Sequence, residues 1–195
     1  MYLYLVRHGE SIGNARKLFF GHTDYPLTAL GCEQAKQVAE KLSNIPFSRC
    51  CVSDLSRAWK TAQICLTQRE IWPEKCPALR EQFMGNLEEK TWDEAVQMYG
   101  HALEDYLDSW YNKTLSGMES AKQMEHRIDV CLKQILAQGE DTLIVAHNGT
   151  LVLILKLLDL LDDVQLNDMH FQFRFGCYTT VRIDSKGSVM EGFNL

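Results

Sequence analysis

What the sequence lacks narrows the field first. It has no C-x-x-C pair, and its seven cysteines, at 32, 50, 51, 65, 76, 131 and 177, are an odd set. That excludes a disulfide framework or a zinc knuckle and points to small core thiols in a reducing, cytoplasmic setting. His22, His101, His126 and His170 match no ligand spacing, so no metal and no cofactor is expected. There is no excess of basic residues: 20 Lys and Arg face 26 Asp and Glu, a net charge of -6. A surface of that sign repels polyanions, so nucleic acid is not an expected partner. No long hydrophobic run is present either. The most apolar stretch, Leu151 to Leu161, is interrupted by Lys156 and Asp159 and falls short of the roughly 20 residues a bilayer needs. The start, Met1-Tyr2-Leu3-Tyr4-Leu5-Val6-Arg7, has no basic region or cleavage pattern and reads as an immediate strand.

What is there is the composition of one globular domain spanning 1–195, 46% hydrophobic and 24% charged. Leu3 to Val6 and Leu143 to Ala146 are unbroken apolar runs, the pattern of strands covered on both faces in a parallel sheet. Arg49 to Val52 and Tyr178 to Ile183 are further strands, and Val189 to Phe193 returns antiparallel at an edge. Helices fit Thr28 to Leu42, with Thr28 as N-cap, and also 55–68, 121–137 and 150–161. The alternation predicts an α/β three-layer sandwich: a mostly parallel central sheet with helices on both faces. Residues 85–120 depart from that rhythm with short helical patterns at 91–99 and 101–111. Trp92, Tyr99, Tyr106, Trp110 and Tyr111 lie there, which predicts a small helical cap whose aromatics form its own core.

Two strands end alike. Leu3-Tyr4-Leu5-Val6-Arg7-His8-Gly9 and Leu143-Ile144-Val145-Ala146-His147-Asn148-Gly149 each place a histidine where the apolar run stops. Parallel strands put both on one sheet edge, where open α/β sheets bind ligands. A third strand end, Cys51-Val52-Ser53-Asp54-Leu55-Ser56-Arg57, offers Ser53 or Asp54 as N-cap and sets Arg57 in the first turn of a helix. Alone, each of these is an ordinary surface or satisfied residue. Together, Arg7 and Arg57 supply two planar donor forks suited to phosphate oxygens.

Arg7-His8-Gly9-Glu10-Ser11, Asn14, Gly21-His22-Thr23-Asp24, Ser53 to Ala58, Leu79-Arg80-Glu81, Gly85 and His147-Asn148-Gly149 follow one another in an order that resembles the histidine phosphatase superfamily, also called phosphoglycerate mutase-like. The resemblance runs along nearly the whole chain. It implies a phosphomonoester hydrolase for a small phosphorylated metabolite, with His8 as covalent nucleophile and a phosphohistidine that water hydrolyses. It also implies that Arg7, Arg57 and His147 hold the phosphoryl oxygens and that Glu81 serves as acid and then base. Asn14, Gly21 and Asn148 are implied as substrate contacts.

Overall size suits the α-ribazole phosphatase branch, and Glu88-Glu89-Lys90-Thr91-Trp92-Asp93-Glu94 is similar to the fructose-bisphosphatase branch. Many family phosphatases read Gly-x-Trp-Glu-Gly where this chain has Gly85-Asn86-Leu87-Glu88-Glu89. Glu88 and Glu89 rival Glu81 as the acid but read more plainly as exposed cap residues; Lys113 reads as a solvated lysine. The chain has no Arg pair between 85 and 120 such as mutases use for a substrate carboxylate, which favours net hydrolysis. Phosphoglycerate mutase-type transfer is one alternative. A non-catalytic phosphate-binding regulatory module is another, disfavoured because His8 and Glu81 are both present. Oligomeric state is not legible in the sequence.

Overall fold

The computed structural model describes residues 1–167 and 171–195, so His170 lies outside the described residues. Six strands form one sheet: β1 (Tyr2–Arg7), β2 (Arg49–Val52), β3 (Glu74–Lys75), β4 (Thr142–Ala146), β5 (Tyr178–Asp184) and β6 (Gly187–Gly192), in the order β3-β2-β4-β1-β5-β6. The pairs β3·β2, β2·β4 and β4·β1 are parallel, whereas β5 and β6 add an antiparallel edge. The predicted mostly parallel α/β sandwich is therefore what the chain forms.

The reason lies in the period of two along each strand. Leu3, Leu5, Cys51, Ile144 and Ala146 face one side, against α6 (Ala121–Ala137) and α7 (Asn148–Leu157). Tyr4, Val6, Cys50, Val52, Leu143 and Val145 face the other, against α2 (Ala29–Leu42) and α3 (Ser56–Cys65). Both faces are covered, so the runs are apolar without alternation. β6 is the contrary case: its exposure alternates, as an edge strand with one wet face requires.

α2 and α6 start at side-chain caps, whereas α3 and α7 have none. Thr28 accepts from Gly31 N at 3.0 Å, and Ser120 with Gln123 forms a capping box on α6. α3 is not capped by Ser53 or Asp54; its N-cap is Leu55, and the carboxylate of Asp24 accepts from Ser56 N at 2.9 Å instead. β3 escaped the sequence reading because its residues are charged and exposed, held beside β2 by the Arg49–Glu74 ion pair at 2.7 Å. The four-residue helices α1 (Ile12–Ala15) and α8 (Asp163–Leu166) are too short to show a period. Cys177 is half-buried rather than a core thiol, and all seven cysteines are free. Among the described residues, no helix is long and apolar enough to cross a membrane.

Within 85–120, α4 (Trp92–Tyr99) and α5 (His101–Asp108) meet at Gly100, whose φ of +52° turns the chain sharply. Leu87, Ala95, Leu103, Tyr106, Leu115 and Met118 form a separate small core, with Tyr99 and Trp110 packed against it. Trp92 does not join it. Half-exposed, it stacks on Phe19 instead.

Candidate active site

The carboxyl end of β1 carries His8, whose N–H still bonds to Ala146 O of β4 at 3.0 Å, so the imidazole stands at the sheet edge. It is only 3% exposed. The chain turns at once into Gly9, where a Cβ would lie 2.2 Å from the carbonyl oxygen of Gly31; only glycine lets α2 approach so closely. His8 Nδ1 lies 2.7 Å from Gly9 O, and a carbonyl can only accept, so that nitrogen carries the proton and Nε2 keeps a free lone pair. Burial, then the charges of Arg57 and Arg7, push the His8 pKa well below the ordinary 6.5. The ring is neutral at physiological pH, the form a nucleophile needs.

His147 ends β4 in the matching place and is fully buried, its ring centroid 5.0 Å from that of His8. Its Nε2 sits 2.8 Å from Ser53 Oγ at the end of β2. With the hydroxyl donating, the ring proton is on Nδ1, which has no hydrogen-bond partner among the described residues. Burial and the charge of Arg57 hold this histidine neutral as well.

The two arginines complete the cluster. Arg57 is 1% exposed and donates through Nη1 to Thr23 O at 3.0 Å and through Nη2 to Gly21 O at 2.6 Å. Arg7 donates through Nη1 to Phe173 O at 3.0 Å and lies 4.2 Å over the Phe175 ring. Burial lowers both pKa values to about 10, which leaves both cationic at neutral pH. In each the Nε is buried with no partner among the described residues. A buried donor without an acceptor costs about 1–3 kcal/mol, more when charged. Arg7 Nε, Arg57 Nε and His147 Nδ1 are three such donors, on side chains whose charge or ring reaches His8, and an anion with several oxygens is the kind of partner they take.

Glu81 reaches the same edge from the loop after a short 3-10 turn, Pro77–Leu79. Arg127 of α6 holds that loop by donating to Ala78 O at 2.6 Å, Arg80 O at 2.8 Å and Glu81 O at 3.0 Å, while pairing with Glu119. The Glu81 carboxylate accepts from Gln82 N at 3.0 Å and Gly149 N at 3.1 Å. A Cβ on Gly149 would fall 2.6 Å from Glu81 Oε1, so this glycine makes room for the carboxylate. Buried Gln82 then links loop and cap: its Oε1 accepts from Tyr106 Oη at 2.9 Å and Trp110 Nε1 at 2.8 Å. Next to Glu81 opens a cleft walled by Phe19, Met84, Leu107, Trp110, Val152 and Phe171, and no lysine or arginine is among the described lining residues.

The remaining predicted residues separate in role. Asn148 borders the cleft, its Oδ1 accepting from Phe173 N at 2.9 Å. Asn14 Oδ1 is taken by Ser11 N at 3.0 Å and Ser11 Oγ at 2.8 Å, which turns the amide oxygen inward to α1. Gly21 has its N–H on Glu88 and its carbonyl on Arg57, so its backbone seats other site residues. Glu88 corrects the expectation of an exposed cap residue: it is half-buried, and its carboxylate accepts from the backbone N–H groups of Gly21, His22, Thr23 and Met84. Burial opposes ionisation there, but the Thr23 side chain and these N–H donors outweigh it and lower the pKa. Glu89 is exposed as expected and takes φ +66° where the family motif has glycine. Lys113 pairs with Asp105 at 3.3 Å on the surface. Ser53, Gln82 and Arg127 were missed as site-builders; buried polar residues leave no local pattern.

This cluster agrees with what a family model finds: the histidine phosphatase superfamily, branch 1, matches residues 3–195. The chain belongs to the histidine phosphatase superfamily. Among curated relatives of this histidine-type phosphatase, the adenosylcobalamin/alpha-ribazole phosphatase of Escherichia coli strain K12 is 27% identical, covering 100% of this chain and 96% of that protein. A Yersinia pestis (strain Pestoides F) protein named "Probable phosphoglycerate mutase GpmB" is 32% identical over 80% of this chain and 74% of its own length. The crystal structure of the alpha-ribazole phosphatase from Shigella flexneri superposes with a TM-score of 0.88 at 29% identity, covering 100% of this chain and 96% of that one.

Proposed function

We propose that the chain is one catalytic domain, 1–195 with 85–120 as its cap, that hydrolyses a small phosphomonoester through a phosphohistidine on His8. The observation that carries this reading is the trio of unpaired buried donors, Arg7 Nε, Arg57 Nε and His147 Nδ1, on side chains whose charge or ring reaches a neutral His8 with a free Nε2. His8 Nε2 forms the P–N bond while the P–O bond to the leaving group breaks; Glu81, entering protonated, gives its proton to the departing alkoxide. In the second step Glu81 takes a proton from water, whose oxygen attacks phosphorus as the P–N bond breaks and inorganic phosphate leaves. The arginines and His147 stabilise charge on the equatorial oxygens throughout.

The cleft beside Glu81 supports an uncharged, partly aromatic leaving group, because Phe19, Leu107, Trp110, Val152 and Phe171 line it beside amides such as Gln82 and Asn148, and its described lining holds no lysine or arginine. A phosphoglycerate carboxylate would meet no lysine or arginine among the described lining residues. An α-ribazole phosphate, the substrate class in the names of the relatives above, fits that chemistry. Two measurements test the reading. Acid-labile phosphate should be trapped on His8 after brief exposure to substrate, and its absence together with no hydrolysis of p-nitrophenyl phosphate would leave only a phosphate-binding module. Glu81→Gln should lose about 10²–10⁴-fold in kcat on alkyl phosphates, whose leaving groups need a proton, and far less on p-nitrophenyl phosphate. Equal losses on both would remove Glu81 as the acid. Isomerisation of 3-phosphoglycerate primed by 2,3-bisphosphoglycerate would favour a mutase.

A further inference from the structure

Glu88 is not used by the mechanism above, yet its environment is among the most organised in the molecule. Its two carboxylate oxygens accept from Gly21 N at 3.0 and 3.1 Å, His22 N at 2.8 Å, Thr23 N at 3.0 Å and Met84 N at 3.1 Å. Three of these donors are consecutive residues, a concave array of N–H groups of the kind that binds anions. Two of these three residues also turn their carbonyls to a cation, since those of Gly21 and Thr23 accept from Arg57 at 2.6 and 3.0 Å. The loop is thus held between a carboxylate on its donor side and a guanidinium on its acceptor side. It has no room to shift sideways: a Cβ on Gly21 would lie 1.6 Å from Gln82 O.

Every donor of Arg57 except Nε is either committed to those carbonyls or placed by them, so where Nε points depends on how the loop is oriented. The loop's own three N–H groups would otherwise have to be satisfied by water, and its peptide planes would be free to rotate. We propose that Glu88 is a positioning residue for phosphoryl transfer, acting through Arg57: by filling the N–H array of residues 21–23 it fixes the carbonyls that aim Arg57 at the phosphoryl group beside His8. Its role as rival acid falls away, because four backbone N–H groups favour its ionised form and it is not among the described residues lining the cleft beside Glu81. The Glu of the family's Gly-x-Trp-Glu-Gly pattern, retained here although the Trp and second Gly are not, thereby gains a physical task in this chain.

The proposal rests on the phosphatase reading, and the experiment separates the two. Turnover of p-nitrophenyl phosphate by the unaltered protein tests the reading itself. Glu88→Ala should then lower kcat about 10–100-fold, a fraction of the ~10²–10³ that loss of a whole oxyanion donor costs, with the melting temperature measured in parallel. Millimolar formate, a carboxylate small enough for the vacated space, should restore several-fold of that loss in Glu88→Ala and nothing in the unaltered protein or in Arg57→Ala. In the Arg57→Ala background the added Glu88→Ala change should cost less than about threefold, because neighbours in one network are non-additive. Should Glu88→Ala fail to fold, Glu88→Gln, of equal volume but with an NH₂ facing N–H donors, should still lose about tenfold in kcat and bind inorganic phosphate about tenfold more weakly by calorimetry. Unchanged kcat in either variant, additive losses with Arg57→Ala, or no recovery in formate would each overturn the proposal while leaving hydrolysis by the unaltered protein intact.

Discussion

The ends of β1 and β4 look like copies of each other. Each strand has a buried apolar stretch, each stops at a buried histidine, and a glycine one or two residues on lets another segment come close. Their wiring is opposite. His8 has its Nδ1–H on the backbone carbonyl of the very next residue and presents Nε2 as a lone pair. His147 has its Nε2 on Ser53, distant in sequence, and presents Nδ1 as a proton donor. In the proposed mechanism one ring attacks and the other stabilises, although the sequence motifs around them are similar. What divides the roles is which ring nitrogen the scaffold occupies.

That comparison can be broken most severely at the rings. His8→Asn should lower hydrolysis by about ten-thousand-fold or more and abolish the trapped phosphoprotein, since the proposed P–N bond forms at His8. His147→Asn should cost about 10²–10³-fold in kcat, the loss of one stabilising donor, while phosphate can still be trapped on His8. If the two variants lose activity equally and neither traps phosphate, the division of labour is wrong. A finer cut is Ser53→Ala, which frees the His147 tautomer without touching the ring; about a tenfold loss in kcat is expected, an energy comparable to one hydrogen bond. Full activity would mean that Ser53 does not set the proton.

The paired glycines offer a sharper distinction. The Cβ of Gly9→Ala would strike a backbone oxygen that cannot step aside, so the expected outcome is a fall in stability of about 2–4 kcal/mol, read as a lower melting temperature. The Cβ of Gly149→Ala meets only the end of the Glu81 side chain, so stability should change less while kcat on alkyl phosphates drops about tenfold.

The smallest effect is that of pH on folding. Both histidines have folded pKa values well below 6.5, whereas in the unfolded chain they protonate near that value. Below pH 6.5 the unfolded state therefore binds more protons, and their contribution to stability declines as pH falls; above 6.5 it is constant. Melting temperatures measured from pH 8 to 5 should fall on the acid side, less steeply in His147→Asn. An equal slope would show that His147 is not buried as a neutral ring.

Why the site was largely legible in advance is now plain. Arg7, His8, Arg57 and His147 sit at or just beyond strand ends, and parallel strands place such ends along one edge whatever the intervening loops do. What stayed hidden depends on contacts between residues far apart in the chain. Ser53 suggested a helix cap by its position and is instead the partner of His147; the capping carboxylate comes from Asp24. Glu88 read as a surface residue because nothing nearby in sequence announces four backbone donors converging on it. Gln82 and Arg127 brace the Glu81 loop through partners on the cap and on α6, links that no periodicity encodes. β3, two charged residues, owes its place to pairing with β2 rather than to any β preference of its own.

By itself, the sequence determined the layers: apolar runs with period two and helices with period 3.6 admit few arrangements, and the histidines and arginines at the run ends go where those arrangements put them. Only the tertiary structure decided which imidazole nitrogen is bare, which donors are left unpaired, which glutamate lines the cleft and which is spent on a loop. Those are questions of hydrogen-bond partners, and a partner is chosen by proximity in space, which the fold creates and the order of residues along the chain does not display.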